Sequence, residues 1–211
     1  MINDVLPRLA GRLLGNVISR WRKDAVYLTF DDGPDPALTS QLGDLLIEFD
    51  CPASFFVTTS LAKSAPLVLL NLYDSGFTIG SHGHYHSSSF LKSYLHIRED
   101  LELSSQIIEE IIGVPPRLFR PPFGRFSYYT LKACGDVNLN LVLWSLSVKD
   151  WQPTPPAVLS ERILRRACSG DIILLHDHGA GAQNMLEALP AIINGLRDNG
   201  FTLKALPRRG L

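Results

Sequence analysis

Two adjacent carboxylates, Asp31 and Asp32, follow the first strongly apolar run of the chain, residues 26–30. Two like charges side by side repel each other, so the pair suits a site where a cation binds one carboxylate or where their pKa values are driven apart for different roles. An ordinary Asp-rich turn is the alternative, because the Asp-Gly and Gly-Pro steps that follow are common in turns.

A histidine cluster follows a second short apolar run, residues 77–80, and contains His82, His84 and His86. If the chain turns helical there, His82 and His86 lie on one face, four residues apart, and can share a metal ion. Two imidazoles and one carboxylate suit a divalent transition metal that keeps positions open for water and substrate, as in a catalytic site. A cluster of surface histidines is the alternative interpretation.

Three further apolar runs end in residues that could do chemistry. Arg120 and a stiff Pro-Pro turn follow one run, the pair Asp150 and Trp151 follows the next, and His176 ends the last. Each cluster alone could be a helix cap or a loop. Five such strand ends in one chain instead predict a single shared site.

The apolar runs alternate with segments of helical periodicity. We predict strands at residues 26–30, 54–58, 77–80, 118–120, 141–144, 172–175 and 202–205. We predict helices near residues 37–49, 62–75, 93–112, 127–135, 157–168 and 183–198. Seven strands alternating with helices predict an α/β fold with a parallel, barrel-like sheet, whose site lies at the carboxyl ends of the strands.

Composition limits the classes of protein to consider. The 211 residues, 45% of them hydrophobic, suffice for one well-packed domain. The balance of 20 basic and 21 acidic residues gives no support for nucleic acid as a partner. The three cysteines form no CxxC pair, which argues against a disulfide framework or a thiolate metal site. We see no signal-peptide layout or transmembrane run, and we expect a cytoplasmic protein or one peripheral to the inner membrane face.

The first 23 residues differ from the rest of the chain. Leucines and other apolar residues recur at spacings of three and four between basic residues, which predicts a basic amphipathic helix over residues 1–23. The alternating strands and helices then form a single domain over residues 24–211. The helix could plug the bottom of the barrel. It could instead lie on an anionic membrane surface.

The five clusters together resemble the motifs of polysaccharide deacetylases with a NodB-homology domain, carbohydrate esterase family four. They are TFDDGP, HGHYH in place of the usual His-Ser/Thr-x-x-His, RPPFG, DW and LLH, in the family's order between residues 29 and 176. The set is specific, although the histidine or DW motif alone would be weak. The resemblance implies a distorted (β/α)7 barrel. It also implies a hydrolase that removes N-acetyl groups from amino sugars of a cell-surface or secreted polysaccharide or of its lipid-linked precursor.

The resemblance also implies roles for the residues around the metal. Asp32, His82 and His86 would bind a divalent ion, with Zn²⁺ as the first choice and Co²⁺, Ni²⁺ or Mn²⁺ as alternatives. Asp31 would not bind the metal but would act as the general base that takes a proton from water. Arg120 would pair with Asp31 and keep it ionised and oriented.

Further roles follow on the substrate side. His176 would be the general acid that protonates the leaving nitrogen, with Asp150 keeping it cationic. The backbone N–H of Phe123 would complete an oxyanion hole with the metal. Trp151 and Leu174 would wall a small apolar slot for the acetyl methyl group, which would favour acetyl over longer acyl chains.

The sequence departs from the family pattern at two positions. Gly83 replaces the usual Ser or Thr after the first histidine, so a hydroxyl near the metal is missing, and Phe123 replaces the usual Tyr but keeps the backbone donor.

Two other functions remain as alternatives. The same machinery could act on an O-acetyl ester, an N-formyl sugar or a small cyclic amide. A non-catalytic carbohydrate-binding domain would be expected to have lost a catalytic residue, and none is lost.

Overall fold

The structure, a computed structural model, describes residues 17–209, which contain a sheet of eight strands and seven α-helices. The strands are β1 (Val17–Ile18), β2 (Tyr27–Asp31), β3 (Ala53–Val57), β4 (Thr78–Ser81), β5 (Leu118–Phe119), β6 (Asn140–Val142), β7 (Leu146–Ser147) and β8 (Ile172–His176). The helices are α1 (Leu38–Glu48), α2 (Thr59–Ser64), α3 (Pro66–Asp74), α4 (Tyr94–Ile112), α5 (Tyr128–Asp136), α6 (Pro156–Leu164) and α7 (Ala182–Asp198).

The sheet has the order β1-β6-β5-β4-β3-β2-β8-β7, every neighbouring pair is parallel, and the sheet curls into an open barrel. The predicted α/β class and distorted (β/α)7 barrel are therefore confirmed. Because the strands are parallel, their carboxyl ends meet at one end of the curl. The register places Asp31, at the end of β2, directly opposite His176, at the end of β8.

Alternation along β2 separates an outer core from an inner one. Leu28 and Phe30 pack in the large cluster between the sheet and the helices, whereas Tyr27 belongs to a cluster inside the curl. The period of two therefore places Thr29 and Asp31 on the inner face with Tyr27. All five residues of β2 are buried, as expected for a parallel strand covered on both faces.

Six of the predicted strands lie within two residues of observed ones. The predicted strand at 202–205 is wrong, because Leu203 makes only an isolated bridge to Val26. Strands β1 and β7 were not predicted: β1 lies inside the segment whose spacing predicted a helix, and β7 lies just beyond the apolar run at 141–144. The predicted helix at 62–75 is two helices, because Pro66 lacks a backbone N–H and begins a new helix instead of continuing the first.

The predicted N-terminal helix is wrong for its described part. Val17 and Ile18 form β1, which pairs in parallel with β6 and places Val17 opposite Leu141. Both residues are β-branched, which favours a strand, and they pair with the free edge of β6. Val17 is buried in the hydrophobic cluster that also contains Leu141. Arg20 then binds the buried carboxylate of Asp171 at 2.7 Å. Residues 1–16, with the rest of the predicted helix and its two proposed locations, lie outside the described residues.

Two further predictions about composition can be compared with the structure. All three cysteines are free thiols: Cys51 and Cys134 are buried, and Cys168 is exposed. No helix within residues 17–209 is both long and apolar enough to cross a membrane.

Candidate active site

A cleft of about 770 Å³ opens at the carboxyl ends of the strands. Eight of the ten predicted site residues line it: Asp31, Asp32, His82, His86, Phe123, Trp151, Leu174 and His176. The other two, Arg120 and Asp150, are fully buried and contact lining residues. The fold therefore brings all ten residues together.

Asp31 is held by a buried ion pair with Arg120. Nη1 of Arg120 lies 2.6 Å from Oδ1 of Asp31 and also donates to the hydroxyl of Thr29, while Nη2 donates to the carbonyl of Leu143 at 3.1 Å. The guanidinium carbon lies 4.0 Å from the centre of the Phe56 ring. Burial lowers the pKa of Arg120, but the charge of Asp31 and their hydrogen bond oppose that effect. This packing fixes the orientation of the Asp31 carboxylate.

Asp32 points into the cleft because its backbone leaves the extended conformation. Strict alternation would place Asp32 on the face opposite Asp31, but its φ of +79° is left-handed and turns the chain. Oδ1 of Asp32 lies 3.3 Å from Nε2 of His82 and 3.3 Å from Nε2 of His86. Burial raises the pKa of Asp32, but contact with His82 and the charges of the nearby histidines outweigh burial and lower it to about 2.

These three residues could hold a metal ion. Their ligand atoms all lie within 4.8 Å of one another. Oδ1 of Asp32 is buried and has no hydrogen-bond donor within residues 17–209, so a cation there would satisfy an otherwise unpaired oxygen. One carboxylate and two imidazoles form a donor set that divalent transition metals accept.

The histidines converge through a loop. The prediction that they share a helical face is wrong, because residues 82–86 make bends and not a helix. Gly83 has a φ of +86°, a conformation that glycine adopts easily and that turns the loop directly after β4. The rings of His82 and His86 stack with centres 5.3 Å apart. His84 points elsewhere, with Nδ1 3.0 Å from the Thr59 hydroxyl.

His176, beside Asp31 at the end of the neighbouring strand, is fixed by Asp150. Its backbone N–H donates to Oδ2 of Asp150 at 2.6 Å, and its Nδ1 lies 3.1 Å from Oδ1. Burial lowers the pKa of His176, but the charges of Asp150, Asp31 and Asp32 raise it to about 9. The raised pKa favours the cationic form of the imidazole at neutral pH. Because Asp150 occupies Nδ1, the proton that His176 can deliver is the one on Nε2.

Aromatic and apolar side chains form the remaining walls. Phe123 lies in a 3-10 turn, Pro122–Gly124, with a left-handed φ of +60°, and its ring centre lies 4.4 Å from that of His86. The Trp151 ring lies edge-on to His176 at 5.5 Å, and the nearly buried Leu174 lines the cleft as well. The Phe123 and Trp151 rings remain partly exposed, whereas Leu174 is buried, so this wall of the cleft is apolar but open to solvent.

Several residues of this region were not predicted from the sequence. Phe90, Phe126 and Trp144 also line the cleft. Trp144 ends an apolar run ahead of the Asp-Trp pair, so its position offered a signal. Phe90 and Phe126 lie in loops, where no periodicity marks the direction of a side chain.

Asp177 is a second missed feature, although it follows His176 directly. Its carboxylate accepts hydrogen bonds from the Gly33 N–H at 2.9 Å and the Thr39 hydroxyl at 2.7 Å. Complete burial raises its pKa to about 7, against the opposing effect of these two donors. Asp177 thus holds the turn that follows Asp32. A carboxylate next to a candidate acid was the available signal.

The curled parallel sheet places the protein among the β/α barrels, and its cleft contains a triad that could hold a metal ion. The sequence profile described as polysaccharide deacetylase matches residues 19–142. This match covers more than half of the chain, and the chain belongs to the polysaccharide deacetylase family. The predicted enzyme class, a polysaccharide deacetylase, is likewise confirmed.

Curated relatives and solved structures agree with this assignment. A chitooligosaccharide deacetylase of Azorhizobium caulinodans is 31% identical, across 88% of this chain and 94% of the relative. The peptidoglycan-N-acetylmuramic acid deacetylase PdaA of Bacillus subtilis is 28% identical, across 97% and 77%. A crystal structure of a peptidoglycan N-acetylglucosamine deacetylase superposes with a TM-score of 0.86 at 28% identity, covering 90% of each chain.

Proposed function

We propose that this protein is a metal-dependent deacetylase that removes N-acetyl groups from amino sugars of an acetylated oligosaccharide or polysaccharide. The observation that carries the proposal is the convergence of Asp32, His82 and His86 in a cleft that also holds the ion pairs Asp31–Arg120 and Asp150–His176. Hydrolysis of a stable amide needs an activated water, a stabilised oxyanion and a proton for the departing amine. The cleft offers a group for each of these requirements.

Asp32, His82 and His86 would hold the metal, and Zn²⁺ is our first choice for this donor set, with Co²⁺, Ni²⁺ or Mn²⁺ as alternatives. When bound, such an ion makes water more acidic and polarises the substrate carbonyl. The buried, unpaired Oδ1 of Asp32 and the two Nε2 atoms at 3.3 Å from it support the assignment.

Asp31 would be the general base. Arg120 engages its Oδ1, which leaves Oδ2 to accept the proton of the attacking water. Arg120 is fully buried and has three acceptors for its two terminal nitrogens, so it keeps the carboxylate in one orientation. A base that is fixed in place loses no entropy when the transition state forms.

His176 would be the general acid. A cationic imidazole held by Asp150 can give its Nε2 proton to the leaving nitrogen. The Phe123 N–H, presented by a left-handed turn, would donate to the oxyanion. Trp151 and Leu174 would bound the slot for the acetyl methyl group and so restrict the acyl chain that fits.

The substrate class rests on the relatives and on the cleft. The curated relatives are named for peptidoglycan and for chitooligosaccharides, both of which carry N-acetylated amino sugars. The exposed rings of Phe123 and Trp151 at the cleft offer flat apolar faces for sugar rings. We therefore propose an N-acetylated glycan as partner. Peripheral membrane association through residues 1–23 stays a prediction.

Acetate release tests the function. The protein is incubated with chitooligosaccharides, with peptidoglycan fragments and with acetylated xylan, before and after chelation and re-addition of Zn²⁺. We expect acetate from the N-acetylated substrates, lost with the chelator and restored by the metal. Release from xylan alone would instead support the O-acetyl esterase, and formate from an N-formyl sugar a deformylase. No product from any substrate would support the non-catalytic domain.

A further inference from the structure

The loop that carries both histidines, residues 82–86, lies between α2 and α4. On the α2 side, the backbone N–H of Thr59 donates to the carbonyl of Gly83 at 3.0 Å, and that of Ser60 donates to the carbonyl of His84 at 3.0 Å. Two carbonyls of the loop are therefore fixed between the candidate ligands. The backbone N–H groups of the loop are bound on its other side.

On that other side, α4 presents Asp100 to the loop. Oδ1 of Asp100 accepts the backbone N–H of His84 at 3.3 Å. A Cβ atom added at Gly83 would lie 3.1 Å from Oδ2 of the same carboxylate, closer than ordinary contact. Asp100 thus occupies the space beside residue 83, the position where the family pattern has a Ser or Thr.

One turn further along α4, Ser104 makes a second connection. Oγ of Ser81 accepts the backbone N–H of Gly83 at 3.1 Å and donates to Oγ of Ser104 at 2.9 Å. Asp100 and Ser104 are four residues apart, so they lie on one face of the helix. This face of α4 therefore binds the N–H of His84 directly, through Asp100, and holds the hydroxyl of Ser81 that accepts the N–H of Gly83.

We propose that Asp100 is a positioning residue for the metal centre, which holds the loop between His82 and His86 in place of the side chain that Gly83 lacks. The inference rests on the proposed metal-dependent function, because it takes His82 and His86 as ligands. Asp100 does not touch the ligand atoms. It acts through the backbone of His84, and its contribution is to the geometry and affinity of the metal site.

Metal affinity measured without substrate tests this role. Metal-free protein is titrated with Zn²⁺ against a chromophoric chelator and with Co²⁺, whose visible absorption reports the coordination geometry. Asp100→Ala removes the acceptor of the His84 N–H, and we expect affinity for Zn²⁺ to fall by about 10-fold to 100-fold, as for other groups that orient metal ligands. The Co²⁺ spectrum should change as well. Asp100→Asn keeps an acceptor oxygen and should recover most of the affinity.

A neighbour on the same helix provides the control. Glu99 is exposed, so Glu99→Ala should match the parent in Zn²⁺ affinity and in Co²⁺ spectrum. If Asp100→Ala does not fold, Asp100→Glu replaces it, because an extra methylene pushes the carboxylate against Gly83 and should weaken Zn²⁺ binding about 10-fold. Parent-like affinity and spectrum in the folded Ala variant, or in the Glu variant, would overturn the role. A parent protein that binds no metal would instead overturn the metal centre itself.

Discussion

Asp31 and Arg120 lie 89 residues apart in the chain and form an ion pair of 2.6 Å in which both side chains are almost completely buried. A buried pair of this kind is seldom the most stable way to fill a core, because both charges lose their hydration. The same guanidinium also contacts Thr29 and the Leu143 carbonyl, so it connects β2 with the end of β6. We infer that the pair is kept for the orientation of Asp31.

The first prediction concerns the stability of this pair. Arg120→Met leaves Asp31 as a buried charge without its partner, and we expect the free energy of unfolding to fall by about 3–5 kcal/mol. Denaturant unfolding at neutral pH measures the change. The exposed pair of Arg98 with Glu102 gives the control, since Arg98→Met should leave the midpoint unchanged. A stability equal to that of the parent would mean that Asp31 does not need Arg120 in order to remain in place.

The second prediction concerns pH. The pKa of His176 is raised to about 9, so the acid form persists through neutral pH, and activity should fall as pH rises through the pKa of the proton donor. Asp150→Asn removes the nearest anion, and burial then lowers the pKa. The alkaline limb of activity should therefore move to lower pH, by about 1–3 units.

A profile of kcat/KM against pH measures this shift. Asp136→Asn serves as the control, because Asp136 pairs with Lys132 on the surface. An alkaline limb that stays in place in the Asp150 variant would exclude Asp150 as the partner of His176. The raised pKa of His176 also stabilises the fold. This contribution to the free energy of unfolding is fully present below the ordinary pKa of histidine and is lost as pH rises through about 9.

The third prediction concerns the turn after Asp32. A Cβ atom at Gly33 would overlap the carboxylate of Asp177, which is completely buried, so Gly33→Ala must displace either the turn or the carboxylate. We expect a loss of about 1–3 kcal/mol in the free energy of unfolding, together with weaker metal binding. Gly135→Ala is the control, because α5 leaves open space there and alanine favours a helix.

Denaturant unfolding of the two variants, side by side with the parent, measures the difference. A Gly33→Ala variant as stable as the Gly135→Ala variant would contradict the packing of Asp177 against this turn.

The sequence predicts the site residues better than it predicts β1 and β7, the two edge strands of the sheet. Asp31, Asp32, His82, Arg120 and His176 could be found because each lies at the end of a short apolar run, and parallel strands collect such ends in one place. Strand β1 was missed because the apolar spacing of residues 1–23 is typical of an amphipathic helix, and β7 because its two residues stand apart from any longer apolar run.

Loop conformations and long-range contacts explain the other differences. The positive φ values of Asp32 and Gly83 bring the metal candidates together, and neither follows from periodicity. The contact of Arg120 with Thr29 joins residues 91 apart, so no local pattern records it. The same holds for Asp100, whose helix had to be placed beside the histidine loop before its contact with His84 became visible.

The division of roles between the two adjacent carboxylates is the central claim, and metal content measured beside acetate release tests it most directly. Asp31→Asn should keep the metal content of the parent and lose turnover by about 100-fold to 10,000-fold, because it removes the base but no ligand. Asp32→Asn and His82→Ala should lose both the metal and the activity. A folded Asp31→Asn variant that contains no metal, beside an Asp32→Asn variant that retains it, would show that the two carboxylates have the opposite roles.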